Sequence, residues 1–377
     1  MKLFRAKASC SPSWRELAVI GLLFLALTAR AATGSRFTIA VIPDTQCYCD
    51  ATNAARPQPA SSLIFRDQMQ YLADQKSALN IVFATHVGDV VEHGDLYDQE
   101  WQYAANAMNV LAASGIPFGV APGNHDYDNC SHPSNNRPLL GNLKWTQYFG
   151  PESKYFSGKS WYGGATNGGL DSWQTFPAGG KTFLHISLEL EAGDEAIAWV
   201  SGVIAQHPEM PVMVTTHEYL GFRDGPDGKG TYLDDGSRKG LSYNNAAQVW
   251  RKLIAPNDRV FLVLCGHNFS GANNGVSNGE NTRTDLNAAG HEVYQVLSDY
   301  QGNTAGADGK AGAYAGGAGW LRLMTFDPDA GTIHFQTYST ALKKFAGVPG
   351  GPAFNVAPEK SDFTLPIPAR VFGTSGR

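Results

Sequence analysis

From Phe37 onward the chain alternates short apolar runs with polar loops and stretches of helical periodicity. The runs at 37–43, 80–85, 117–121, 182–188, 211–216 and 259–265 are bounded by turn formers and too short for helices, so they predict strands. Apolar positions recur at helical spacing over 63–79, 100–113, 195–206 and 246–254. Strand, loop and helix repeated in that order predict a layered α/β fold. Every strand except the fourth runs straight into a loop carrying Asp, Asn or His. Functional groups of open α/β sheets collect outside the carboxyl ends of strands, so these side chains have a physical reason to meet.

The segments 127–181 and 221–244 are rich in Gly, Asn, Asp and Tyr. They are too long for plain connections and read as loops shaping a substrate cleft. Residues 302–319 form a Gly/Ala-rich loop, after which 320–326 and 332–338 alternate as a β-hairpin around 327–331. From Val348 the chain is Pro-rich and reads as an extended surface tail. No repeat and no sharp linker divides the chain. The expected organisation is one catalytic domain over 32–345 and a tail over 346–377.

The N-terminus reads as an address. Lys2, Arg5, Lys7 and Arg15 precede an apolar run over 17–27, followed by Ala29-Arg30-Ala31, the pattern of an export signal over residues 1–31. The run falls short of the roughly 20 residues of a spanning helix, so no stable membrane anchor is expected after cleavage. The expected location is periplasmic or secreted. Without 1–31 the chain keeps 24 basic and 33 acidic residues, a net charge of −9. Such acidity excludes broad nucleic-acid or anionic-membrane binding, which need a basic footprint. Cys47, Cys49, Cys130 and Cys265 remain, in a compartment that permits disulfides. Cys47 or Cys49 paired with Cys130 is the expected bridge, because both segments follow motifs that should converge. No CxxC or Cys/His cluster suggests structural zinc.

Five fragments carry chemistry, in this order: Asp44-Thr45-Gln46, Gly88-Asp89, Gly123-Asn124-His125-Asp126, Thr216-His217-Glu218 and Gly266-His267-Asn268-Phe269. The ordered set resembles the calcineurin-like metallophosphoesterase superfamily, whose pattern is D-x-H, G-D, G-N-H-D/E, a lone His and G-H-x-H. The match spreads over residues 44–269. That resemblance implies an α/β (α+β) four-layer sandwich, two mixed β-sheets flanked by helices. It also implies hydrolysis of phosphate monoesters or diesters, a phosphatase or phosphodiesterase activity, by in-line attack of a metal-bound hydroxide. Such chemistry needs a strong nucleophile and a clamp for developing charge, which two divalent ions about 3.5–4 Å apart supply. Mixed oxygen and imidazole donors suit Mn, Fe, Zn or Co.

Carried over residue by residue, the resemblance makes Asp89 the bridging carboxylate and Asn124, His217 and His267 the remaining ligands of one ion. Asp44 and Gln46 would hold the other. His125 would assist the leaving group, with Asp126 orienting it. The sequence departs from the family at Gln46, in place of the His of D-x-H, and at Phe269, in place of the last His. Both losses fall on one ion, which should bind more weakly or prefer a harder cation. Glu92 and His93, just beyond Asp89, are candidate substitutes. The departures also define a different reading, a non-catalytic metal- or ligand-binding protein on a degenerate phosphoesterase scaffold.

Other candidates read as structural. His86 and His185 fall at a strand end and within a strand, where histidines usually satisfy a core. His132, His207, His291 and His334 have no motif around them. Trp161, Tyr162, Trp173 and Tyr232 are expected to pin their loops by packing. Gly275-Val276-Ser277-Asn278-Gly279 fits the serine-hydrolase G-x-S-x-G, but Asn and Gly on both sides replace the strand and helix that motif requires.

Overall fold

The computed structural model describes residues 36–52, 58–130, 141–239, 241–270, 279–302, 316–347 and 358–373. The expected export signal and Ser277 lie outside the described residues.

Two seven-stranded mixed sheets face each other. The first contains β1 (Phe37–Ile42), β2 (Ile81–His86), β3 (Phe118–Val120), β13 (Trp320–Asp327), β14 (Thr332–Ser339), β15 (Lys344–Phe345) and β16 (Asp362–Pro366). Its order is β15-β14-β13-β1-β2-β3, with β16 also on β14. The second contains β4 (Tyr162–Thr166), β5 (Asp171–Ala178), β6 (Lys181–Ser187), β7 (Val212–Thr215), β10 (Val260–Cys265), β11 (Glu280–Leu286) and β12 (Glu292–Ser298). Its order is β11-β12-β10-β7-β6-β5-β4. A separate small hairpin joins β8 (Leu220–Asp224) and β9 (Gly230–Tyr232).

Strand alternation decides which core each residue enters. In β1, Ile39 and Val41 face the second sheet and meet Phe183, Phe261 and Leu264, while Ala40 and Ile42 face outward. The outward face is covered by α2 (Ala60–Gln75) and α3 (Asp98–Ser114) through Phe65, Met69, Trp101 and Met108. The second sheet is covered by α5 (Asp194–Gln206) through Ile197, Val200 and Ile204. Burial on both faces is why these strands read as unbroken apolar runs. The four layers match the expected sandwich. A buried ion pair also crosses it, with Arg322 of β13 against Glu280 of β11 at 2.5 Å and both side chains fully enclosed.

Several expectations need correction. The segments read as cleft loops hold α4 (Leu143–Phe149), β4, all of β5 and most of the β8–β9 hairpin. The tail read as an extended surface run supplies β16, whose Phe363 stacks on Phe335 at 4.6 Å, and α6 (Ala369–Phe372), whose Val371 is buried between the sheets. None of the four described cysteines is in a disulfide. The Cys130 thiol lies 3.2 Å from the Asp95 carboxylate, Cys47 lies 3.6 Å from the Gln301 side-chain oxygen, and Cys49 is buried in the core. No helix among the described residues is long and apolar enough to cross a membrane.

Candidate metal centre

Parallel strands bring the five fragments to one end of the sandwich. Asp44 follows β1, with Gln46 opening the one-turn α1 (Gln46–Cys49). Asp89 follows β2, Asn124 and His125 follow β3, His217 follows β7 and His267 follows β10. Two backbone positions have unfavourable geometry: Asp89 and His267 sit at φ 52° and 73°, the left-handed region that side chains rarely adopt. Glycine is required at two close approaches. A Cβ on Gly123 would lie 2.1 Å from Asp89 Oδ1, and one on Gly266 would lie 2.2 Å from Asp44 Oδ2.

Four donor atoms converge. Asn124 Oδ1 lies 3.0 Å from His217 Nε2 and 2.9 Å from His267 Nδ1, and the two ring nitrogens are 3.2 Å apart. Asp89 Oδ2 lies 3.3 Å from His217 Nε2. The outer nitrogens show which tautomer each ring adopts. His217 Nδ1 is 3.0 Å from the Val87 carbonyl, which can only accept, so a proton sits there and Nε2 is the nitrogen left for a metal. His267 Nε2 is 2.6 Å from the Asp235 carboxylate, so a proton sits on Nε2 and Nδ1 is the nitrogen left for a metal. With those outer protons in place, the inner nitrogens, the amide oxygen and the carboxylate can turn their lone pairs to one point once a metal displaces any inner proton. A divalent cation is what this donor set fits.

The neighbouring half has no imidazole among its donors. Asp44 Oδ1 accepts the His267 backbone N–H at 2.9 Å, while Asp44 Oδ2 is buried without a partner. Gln46 donates its amide to Asp89 Oδ2 at 3.0 Å and to Gln301 Oε1 at 2.6 Å, leaving its own carbonyl oxygen buried and unpartnered. Gln301 in turn donates to Asp299 at 3.1 Å. Burial first, then the Asp299 and Asp89 carboxylates, push the Asp44 pKa well up. Two orphaned oxygens amid three buried carboxylates also fit a cation, one bound through oxygen alone.

His125 stands beside Asp89, its Nε2 4.0 Å from Asp89 Oδ2. Its Nδ1–H donates to the Glu92 carbonyl at 2.7 Å, and the ring is one-third exposed. Burial opposes its charge, but Asp89, Glu92, the Glu92 carbonyl and Asp126 together raise its pKa to about 9. Asp89 is held below the usual carboxylate range: burial opposes this, and His217 and His125 outweigh it.

Asp126 occupies a different place from the one expected. Its carboxylate accepts the backbone N–H groups of Val90, Val91 and Gly123, while the direction of the His125 ring is set by the Glu92 carbonyl. Asp126 therefore braces two motif loops against each other. Glu92 approaches His125, at 3.8 Å, and His93 bonds Glu100 at 3.1 Å. His86 links Thr45 at 3.0 Å to the Gly88 N–H at 3.1 Å, and His185 is buried between Gln174 and Thr215. Three residues at the centre were not singled out by sequence reasoning: Asp235, Asp299 and Gln301. Asp299 directly follows the apolar β12, the same strand-end position that marked Asp44, whereas Asp235 lies in an irregular loop with no such mark.

Comparison with known proteins adds an independent line. A curated relative, the uncharacterized protein YvnB of Bacillus subtilis (strain 168), is 29% identical over 311 residues, 81% of this chain. The chain spans only 20% of that relative's length. Among solved structures, a dimetal phosphatase from Danio rerio aligns over 88% of this chain and 99% of its own, with 13% identity and a TM-score of 0.49. GAP50, the anchor in the inner membrane complex of Plasmodium, aligns over 82% of this chain and 86% of its own, with 10% identity and a TM-score of 0.44. The family model for calcineurin-like phosphoesterases matches residues 37–270, more than half the chain and every one of the five motif fragments. With the motifs, the two-sheet fold and the converging donors in agreement, this chain belongs to the calcineurin-like phosphoesterase family.

Proposed function

We propose that the protein is an exported, metal-dependent hydrolase of phosphate monoesters or diesters. The observation that carries this reading is the set of metal-binding atoms that converge on Asn124 Oδ1, with the protonatable His125 beside it. Asp89, Asn124, His217 and His267 would hold one divalent ion, and Asp44, Asp89 and Gln46 a second, weaker one with a preference for hard cations such as Mn over Zn. Bound ions supply Lewis acidity toward the phosphoryl oxygens and lower the pKa of water. The protein's own residues do the rest. His125, held by the Glu92 carbonyl and kept protonated by its carboxylate neighbours, offers its Nε2 proton to the departing oxygen. Asp126 fixes the spacing of the Asp89 and Asn124 loops.

The test is hydrolysis of p-nitrophenyl phosphate and bis-p-nitrophenyl phosphate by chelator-stripped protein refilled with manganese, beside His125→Ala. Turnover restored by metal and lost in the variant supports the reading. The loss of both imidazoles at Gln46 and Phe269 favours a second reading, a binding protein on this scaffold, which predicts metal uptake without turnover of either ester. Export predicts that N-terminal sequencing of protein recovered outside the cytoplasm begins after residue 31.

A further inference from the structure

Beside the metal centre lies a cavity of about 320 Å³ whose walls include Asn167, Asp171, Glu189, Glu195, Arg238 and Ser242. Its place follows from strand register. Ser187 of β6 pairs with Thr215 of β7, and Ser172 of β5 pairs with Ser187. Glu189 and Asp171 therefore emerge at the same sheet edge as His217, one and two strands along. Neighbouring strands are about 4.8 Å apart, so Glu189 and Asp171 leave the sheet roughly 5 and 10 Å from His217, within the reach of a group esterified to phosphate. The loop over the cavity is anchored at both sites. Asp235 bonds His267, and three residues on Arg238 pairs with Glu189 and lies over the ring of Tyr127, two residues from His125.

Two residues of the cavity wall hold polar atoms that the protein does not satisfy. Asp171 is fully buried; its Oδ1 accepts the Glu189 N–H at 3.0 Å and its Oδ2 has no partner. Arg238 gives a terminal nitrogen to Glu189, and its buried Nε has no partner. A buried polar atom left unpaired costs about 1–3 kcal/mol, so unpaired polar atoms on two residues of one cavity wall suit a group that can both donate and accept. A hydroxyl does so. Charge narrows the choice further. Glu189 and Glu195 share the wall with a single arginine already paired with Glu189, and burial and then the Glu189 carboxylate push the Asp171 pKa well up, the mark of a wall poor in positive charge that would repel a second phosphate or a carboxylate.

We propose that this cavity is a subsite for a hydroxyl-rich, non-anionic organic group, such as a sugar, carried by the phosphate ester, with Asp171 and Arg238 recognising its hydroxyls. The proposal names the substrate class of the phosphoesterase reading and rests on it, but the cavity itself needs no ion. A cavity near 320 Å³ sits at the small end of ligand sites and has room for one such group.

The test has two arms, on the full chain. In the first, saturation-transfer NMR on chelator-stripped protein is recorded with glycerol, ribose and glucose at millimolar concentration. Transfer to at least one of them is expected, reduced at least fivefold in Asp171→Asn and in Arg238→Lys, with circular dichroism confirming that each variant is folded. No transfer to any of the three, as for a cavity that holds only water, overturns the proposal, as does transfer that neither folded variant reduces. In the second arm, the ratio of kcat/KM for glucose 1-phosphate to that for p-nitrophenyl phosphate is expected to fall about tenfold in the variants, and an unchanged ratio overturns the link to substrate. Polyol binding without turnover of any ester would instead sink the phosphoesterase reading and leave the cavity assignment standing.

Discussion

Replacing Asp235 by alanine tests whether a loop residue outside every motif sets the metal affinity. Its carboxylate receives the His267 Nε2 proton at 2.6 Å, which aims Nδ1 at Asn124 Oδ1, 2.9 Å away. The His267 bond lowers the Asp235 pKa, so the pair is charge-assisted. The loop is held in place by the Asp235 N–H on Glu218 Oε1 at 2.9 Å. A hydrogen bond to a charged group contributes about 1.5–3 kcal/mol. Asp235 is 45% exposed, so water takes over part of the interaction and the lower end applies. A loss of about 1.4 kcal/mol is a tenfold weaker dissociation constant, at the small end of the 10- to 100-fold seen when a ligand's supporting partner is removed. Asp235→Asn, which keeps an acceptor oxygen, should lose less. The assay is competition for manganese between stripped protein and a chromophoric chelator, with thermal denaturation as a control. Affinity unchanged within about twofold in folded Asp235→Ala would show that His267 is not oriented for a metal as argued.

Three further outcomes are expected. His185 is buried with its pKa lowered by desolvation to about 3, against 6.5 when unfolded, so it folds neutral. Its contribution is complete above pH 6.5 and is lost as pH falls toward 3, at about 1.4 kcal/mol per pH unit. Urea unfolding at pH 6, 5 and 4 should show that slope reduced in His185→Gln, and an equal slope refutes the assignment. Glu280→Ala strands the fully buried Arg322 and should cost about 3–5 kcal/mol in denaturant unfolding; a loss under about 1 kcal/mol would mean the pair does not hold the sheets together. Gln46→His returns an imidazole to the oxygen-only half of the centre and should tighten a second equivalent of zinc at least about tenfold by calorimetric titration; no change would place Gln46 outside the site.

The strands that carry the motifs were legible because both of their faces are covered. β1 and β10 are buried at every position, so each reads as an apolar run, and the run stops where Asp44 or Gly266-His267 begins. Edge strands gave no such signal. β11 is Glu-Asn-Thr-Arg-Thr-Asp-Leu with one neighbour, and β4 carries Gly163 and Gly164, the first of them covered by the Trp173 ring. Such strands are fixed by pairing, not by their own hydrophobicity. The site was legible as residue types at strand ends, while the supporting partners were not. Which group orients His125, Asp126 or the Glu92 carbonyl, depends on backbone direction within a short turn. Asp235 reaches His267 from 32 residues away across an irregular loop. The cysteine pairing failed for a related reason: the Cys130 sulfur turns toward Asp95 and Cys49 packs into the core.

The central claim is that the donors gathered at Asn124 make a metal centre that hydrolyses phosphate esters. The most direct measurement is manganese-dependent turnover of p-nitrophenyl phosphate and bis-p-nitrophenyl phosphate by stripped and refilled protein, with metal content determined on the same samples and His125→Ala alongside. The account predicts that turnover returns with bound metal and that His125→Ala keeps the metal while losing at least about a hundredfold in kcat. Metal bound at full occupancy by folded protein with no turnover of either ester would contradict it.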